Sequence, residues 1–229
     1  MAVILAFDTS TEACSCALFM DGEIHEQYLV APRQHTQLLL PMIHELLAQH
    51  GVGFSALDAL AFGRGPGSFT GLRIATGVAQ GIAFAASLPV VPVSSLAALA
   101  GEIQAETGAD LVLSCLDARI EEVYWGLYAR DGDVPVLVGE EILCQPEQVL
   151  LPEHEAPSFA IGGDGLHYRE RLPAALRARS SAECPGLLPH AAWIARIAAA
   201  DFARGISVDA EAVRPTYLRD QVTRQPQVS

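Results

Sequence analysis

Two stretches of this chain repeat one architectural pattern. FDTSTEACSCALF at Phe7–Phe19 lines up without a gap with LDARIEEVYWGLY at Leu116–Tyr128. The match sets Asp8 on Asp117, Leu18 on Leu127 and Phe19 on Tyr128. In each stretch a buried strand runs into a turn, and a second apolar strand follows. Each then reaches an Asp-Gly hairpin signal, Asp21-Gly22 in the first and Asp131-Gly132 in the second. Identity across the match is low, and any two buried strands followed by Asp-Gly hairpins share part of it. The order of elements is the stronger argument: a sequence of strands that restarts at mid-length favours a duplicated fold.

The element order follows from hydrophobic spacing. Val3–Thr9 is a nearly continuous apolar run that suits a central strand buried on both faces. Cys14–Met20 and Ile24–Val30 complete a meander, the last more polar and nearer an edge. A helix follows from about Arg33 to His50, with Leu38, Leu39, Met42, Ile43, Leu46 and Leu47 at helical spacing. Pro41 inside it predicts a kink or a break. Then come a strand at Leu57–Phe62, a helix at Phe69–Ala86, a strand at Val90–Val93 and a helix at Ser94–Glu106. The second half repeats with strands at Leu111–Asp117, Val123–Arg130, Val136–Cys144 and Ser158–Ile161. A short helix begins at Pro146, an amphipathic helix spans Leu187–Arg204, and the tail after Arg219 is expected to fray. The expectation is an α/β fold, two lobes of mixed sheet with flanking helices, divided at residues 1–106 and 107–229. Paired strand turns facing a cleft resemble the duplicated actin-like architecture (ASKHA, ribonuclease H-like).

Charge excludes several functions. The formal net charge is −13, and no basic stripe is visible, so nucleic acid would have to be held mainly by a partner. All 14 basic residues are arginine. Without lysine there is no Schiff base, no lysine general base and no P-loop lysine. The five cysteines contain no C-x-x-C pair, which argues for reduced, mostly buried thiols. The N-terminus has no basic n-region and Asp8 interrupts its apolar run, unlike a secretory leader. Ile74–Gly101 carries no charge, but Gln80, Ser87, Pro89, Pro92, Ser94 and Ser95 break it into helix, strand and helix rather than a membrane span. A cytoplasmic protein is expected.

The most specific segment is GRGPGSFTGLR at Gly63–Arg73, between a strand and a helix. Its glycines permit close backbone approach, and free N–H groups at a helix start attract anions. Asp8, Thr9, Ser10, Arg64, Gly65, Gly67, Ser68 and Thr70 are therefore candidate nucleotide or anion contacts. A tight connection without a ligand explains the same composition. The loop is neither a Walker A motif, lacking lysine, nor a nucleophile elbow, having Pro66 where glycine is required.

GRGPGSFTGLR, together with DTSTEACSCAL, PRQHTQLLLPMI, DARIEEVYWGLY and RPTYLR at Arg214–Arg219, resembles the bacterial TsaB (YeaZ) family. The similarity runs from about Met1 to Tyr128, and between Leu150 and Leu187 little matches. The resemblance implies a non-catalytic scaffold or activator in synthesis of threonylcarbamoyladenosine beside the tRNA anticodon. It implies a TsaD-like catalytic partner, a TsaE-like ATPase, contact with tRNA only within the complex, and a homodimer through the first two helices when alone. No cofactor of its own is expected, with ATP or ADP a candidate at the subunit junction. No metal is expected either: the catalytic relatives use an H-x-x-x-H pair, and no two of the seven histidines here stand four apart. The partner-facing candidates are His35, Leu39, Ile43, Leu46, Gly71, Ile74, Gly77, Val78 and Gly81. Gly77 and Gly81 form G-x-x-x-G, which calls either for another backbone nearby or for close packing on the chain's own sheet. Two other classes stay open: a stand-alone ATP-dependent phosphotransferase or ATPase of the same fold, and a glycoprotease-like peptidase. The latter lacks a Ser/His/Asp order and an H-E-x-x-H motif.

Overall fold

The computed structural model describes residues 2–151 and 158–219. The expected frayed tail lies outside them. The first half forms β1 (Ile4–Asp8), β2 (Ala13–Met20), β3 (Glu23–Val30), α1 (His35–Gln49), β4 (Ala59–Gly65), α2 (Phe69–Ala86), β5 (Val90–Ser94) and α3 (Ser95–Thr107). The second forms β6 (Leu111–Arg119), β7 (Glu122–Asp131), β8 (Val134–Cys144), β9 (Phe159–Gly163), α4 (Ala174–Arg179), β10 (Ser180–Pro185) and α5 (Ala191–Ala203). The two sheets have the same order, β3-β2-β1-β4-β5 and β8-β7-β6-β9-β10. In each, the meander pairs antiparallel and the last two strands join parallel. The duplication inferred from strand order is thus a duplication of topology.

Five layers result. Leu5, Phe7, Leu18, Leu60 and Phe62 face outward from the first sheet, under Leu39, Ile43 and Leu46 of α1 and Ala75, Ala79 and Ala83 of α2. Ile4, Ala6, Ala59 and Ala61 face inward, where α3 and α5 are sandwiched between the sheets. This is why Val3–Thr9 reads as unbroken apolar sequence: β1 is buried on both faces. The terminal helices cross over. α3 packs on β6, β8 and β9 of the second sheet, and α5 packs on β1, β2, β4 and β5 of the first. The outer face of the second sheet is covered by shorter pieces, a 3-10 stretch at Asp164–Arg171 and α4, through Leu166, Leu172 and Leu176.

Three local expectations need correction. Pro41 neither breaks nor ends α1, which runs continuously through it. Pro41 and Gln37, whose carbonyl loses its i+4 donor, are both exposed, so water replaces the missing bond. β4 begins at Ala59 rather than Leu57, because a 3-10 turn at Phe54–Ala56 precedes it and Leu57 N caps that turn by donating to Phe54 O at 3.3 Å; Asp58 then ties to Val3, Val3 N donating to Asp58 Oδ2 at 2.7 Å and Asp58 N to Val3 O at 2.8 Å. α4 and β10 were not expected from sequence. β10 turns only Ala182 and Cys184 toward the core, too short an alternation to stand out.

Among the described residues no helix is long and apolar enough to cross a membrane, and Ile74–Gly101 divides into parts of α2 and α3 around β5. All five cysteines are free thiols. Burial pushes the Cys14 thiol up to about 11 and the Cys16 thiol to about 12.

Candidate functional site at the cleft between the lobes

A cleft of about 770 Å³ opens between the lobes. One wall is the β1–β2 turn at Ser10–Glu12 and the start of α2. The other is the β6–β7 turn at Leu116–Ile120 with Asp164, and Thr216, Tyr217 and Arg219 close one side.

The first wall is locked by close backbone approach. Thr9 Oγ1 donates to Gly71 O at 2.7 Å, and Ser68 N donates to Ser10 O at 2.6 Å. A Cβ on Gly71 would stand 1.8 Å from Thr9 O, so no other residue lets α2 come so near β1. Ser68 is the N-cap of α2, its Oγ accepting from Gly71 N at 3.4 Å. Behind this wall Asp8 is fully buried. Its Oδ1 accepts from Ser10 N at 2.9 Å and Ser10 Oγ at 2.8 Å, while Oδ2 has no partner among the described residues. Burial outweighs those hydrogen bonds and pushes the Asp8 carboxyl up to about 6.

The second wall is built on a tight turn. Arg119, Ile120 and Glu121 all adopt left-handed φ, at 62°, 55° and 59°. Asp117 holds the turn by accepting from Arg119 N at 2.8 Å and pairing with Arg119 Nη1 at 3.0 Å. Arg119 Nη2 reaches across the cleft to Glu12 at 3.2 Å. Asp164 Oδ1 accepts from Asp117 N at 2.9 Å. Burial, reinforced by the Asp117 charge, raises the Asp164 carboxyl above the usual range.

The C-terminal strap, residues 206–219, fastens the lobes. Val208 bridges Val90 at the edge of the first sheet. Thr216 N donates to Arg64 O at 2.7 Å, and Arg64 Nη1 donates to Thr216 Oγ1 at 2.6 Å. Arg219 then donates to Ala118 O at 3.1 Å and pairs with Glu122 at 2.5 Å in the second lobe.

Of the candidate anion contacts, Ser10, Gly67, Ser68 and Thr70 line the cleft. Asp8 and Thr9 lie behind it, holding the wall. Arg64 and Gly65 turn to the strap. Of the partner-facing candidates, His35, Gly71 and Ile74 also line the cleft. Leu39, Ile43 and Leu46 are buried against the first sheet, so α1 turns these apolar residues inward and does not present them. Gly77 and Gly81 are exposed, and an added Cβ at either meets nothing within 4 Å. Packing on the chain's own sheet therefore does not account for the glycine pair. Val78, half-buried between them, packs against the outer core. Among the described residues no group of three or more His, Cys, Asp or Glu side chains is arranged to hold a metal ion.

Residues 23–176 match the family described as TsaD: tRNA N6-adenosine threonylcarbamoyltransferase. The tRNA threonylcarbamoyladenosine biosynthesis protein TsaB of Escherichia coli is 42% identical over 96% of this chain and 95% of its own length. The Haemophilus influenzae protein of that name is 39% identical over 96% and 94%. The chain belongs to the TsaB family. The solved structure of YeaZ from Pseudomonas aeruginosa agrees, with a TM-score of 0.90 and 48% identity over 95% of this chain and all of that one. This TsaB-family cleft is also lined by Glu12, Arg119, Asp164 and Arg219, which sequence reasoning did not single out. GGDG at Gly162–Gly165 was a visible signal for Asp164: an added Cβ on Gly163 would stand 2.0 Å from Cys115 O. The partners of Arg119 and Arg219 lie far along the chain, and no local pattern marks them.

Proposed function

We propose that this chain acts in cytoplasmic tRNA threonylcarbamoyladenosine synthesis as a non-catalytic scaffold and activator. It pairs with a TsaD-like catalytic subunit and a TsaE-like ATPase, touches tRNA only within that assembly, and self-associates when alone. The observation that carries this reading is that the turns facing the cleft are engaged by the protein itself. Thr9 and Ser10 hold α2 by hydrogen bonds of 2.7 and 2.6 Å, and Arg119 is paired with Asp117 and Glu12. Little is left to grip a triphosphate from this chain alone. Ser10 is spent on Asp8 and Ser68, so Gly67, Ser68 and Thr70 on the remaining wall are what is left for a single phosphate, which ATP or ADP supplies at the junction with the catalytic subunit.

The open face of α2 supports the pairing. Gly77 and Gly81 leave room for a second helix to approach, and Phe84 beside them is 76% exposed.

Reconstitution tests the proposal. The TsaD-like and TsaE-like subunits, the donor-forming enzyme, threonine, bicarbonate, ATP and unmodified tRNA are combined with and without this chain. Modified adenosine should appear only with the chain, which alone should neither modify tRNA nor hydrolyse ATP. Equal modification without it, or steady ATP turnover by the isolated chain, refutes the reading.

A further inference from the structure

The hairpin between β6 and β7 is made of residues that its backbone does not favour. Arg119 pairs with Glu122, so Ile120 and Glu121 form a two-residue loop. Both are left-handed, at φ 55° and 59°, and Arg119 before them is at 62°. Two consecutive left-handed residues make the type I′ turn, which selects Asn-Gly or Asp-Gly. The β2–β3 hairpin obeys that rule: Met20 pairs with Glu23, and the loop is Asp21-Gly22, at φ 55° and 86°. Ile120 is ill suited to this conformation, because a branched Cβ crowds the following carbonyl. Burial does not compensate, since Ile120 is 57% exposed.

Charge holds the turn instead. Its base is fixed by the strap, where Arg219 donates to Ala118 O at 3.1 Å and pairs with Glu122 at 2.5 Å. At the tip, Arg119 N and Nη1 donate to Asp117 at 2.8 and 3.0 Å. Arg119 Nη2 reaches Glu12 of the first lobe at 3.2 Å, and Glu121 pairs with Arg171 of its own lobe at 3.4 Å. Of these tip contacts only the one with Glu12 crosses the cleft. It joins side chains that are 69% and 53% exposed, and ion pairs so exposed contribute little. A costly backbone held by weak fasteners lies close in free energy to a second arrangement.

We propose that the hairpin tip, residues 119–121, is a latch over the cleft. Closed, Arg119 joins Glu12 and Ile120 lines the cleft. Open, that pair is broken, the turn relaxes out of the left-handed region, and the tip withdraws from the first wall, giving access to Gly67, Ser68 and Thr70. What the wall then receives rests on the proposed function; the latch does not. A phosphate on that wall offers Arg119 the charge that Glu12 offers now, so arrival of the ligand and release of the latch favour each other.

Amide hydrogen exchange on the full chain reads the latch at the Arg119 N–H, which Asp117 accepts. Glu12→Gln keeps the shape and removes the charge. It should speed that exchange about threefold with melting unchanged. Ile120→Asn supplies a residue the turn accepts and should slow the exchange about fivefold. In the reconstituted reaction Ile120→Asn should slow modification by about the same factor, since access falls with the open fraction, and Glu12→Gln added to it should restore the rate. Exchange that either substitution leaves unchanged overturns the latch and leaves the proposed function untouched. Exchange as expected with an unchanged rate of modification overturns its gating of the cleft. Loss of assembly with the catalytic subunit on Ile120→Asn also overturns it, since Ile120 is then a partner contact. Absence of modification with wild type overturns the proposed function, and the exchange then judges the latch alone.

Discussion

Gly71→Ala and Gly77→Ala place the same methyl group on the same helix and should move stability in opposite directions. At Gly77 the methyl meets nothing within 4 Å. The only effect is on backbone freedom, where alanine in a helix interior gains about 0.8–1 kcal/mol over glycine. At Gly71 the methyl falls 1.8 Å from Thr9 O, and the start of α2 must retreat until that contact exceeds 3.0 Å. The retreat breaks the Thr9 Oγ1–Gly71 O bond of 2.7 Å and the Ser68 N–Ser10 O bond of 2.6 Å. Each is worth about 1 kcal/mol, with more lost where a buried group stays unpaired. Crowding a packed site adds about 1–3 kcal/mol. Set against the helix gain, Gly71→Ala should cost about 2–4 kcal/mol net. For a chain of this size, Gly77→Ala should then melt about 2–4 °C higher and Gly71→Ala roughly 4–16 °C lower. Urea unfolding with m-values compared reads the same difference at constant temperature. If the proposed pairing through α2 holds, binding to a TsaD-like subunit gives a second readout: Gly77→Ala should weaken it while raising stability, because the methyl fills space on the open face of α2. If the two variants shift stability with the same sign, the close approach of α2 to β1 is not what holds the cleft wall.

Asp8 gives a pH prediction. Burial raises its carboxyl from 3.8 to about 6 in the folded state, so the folded protein holds the proton more tightly than the unfolded chain. Its stabilising contribution is complete below the unfolded pKa and is lost as pH rises through about 6, a displacement worth roughly 3 kcal/mol. Asp8→Asn keeps an acceptor for Ser10 and should flatten unfolding stability between those pH values; an unchanged slope assigns it to another group. At the strap, Arg219→Ala removes the Glu122 pair and the bond to Ala118 O, both largely shielded from solvent. It should cost about 1–3 kcal/mol in urea unfolding, and a neutral result would show that the strap does not fasten the second lobe.

Every strand but β10, the longer helices and the repeated strand order were legible in the sequence. Those signals are local: β1 is unbroken apolar sequence because both faces are covered, and the Asp-Gly pairs mark hairpins wherever they occur. It also carried the family, because Gly63–Arg73 combines residues whose joint requirement is steric, as Gly71 against Thr9 O demonstrates. Three matters were decided only by tertiary structure. Leu39, Ile43 and Leu46 have the spacing of any amphipathic face, and only the sheet beneath them makes that face the core. Gly77 and Gly81 read the same in sequence whether packed or open, and only the surrounding atoms show them open. The charges of the cleft were the least legible. Arg119 meets Glu12, and Arg64 meets Thr216, across separations that no periodicity spans. Helix and strand patterns report contacts with near neighbours in the chain, whereas a cleft between two lobes is made of contacts between halves that fold against each other.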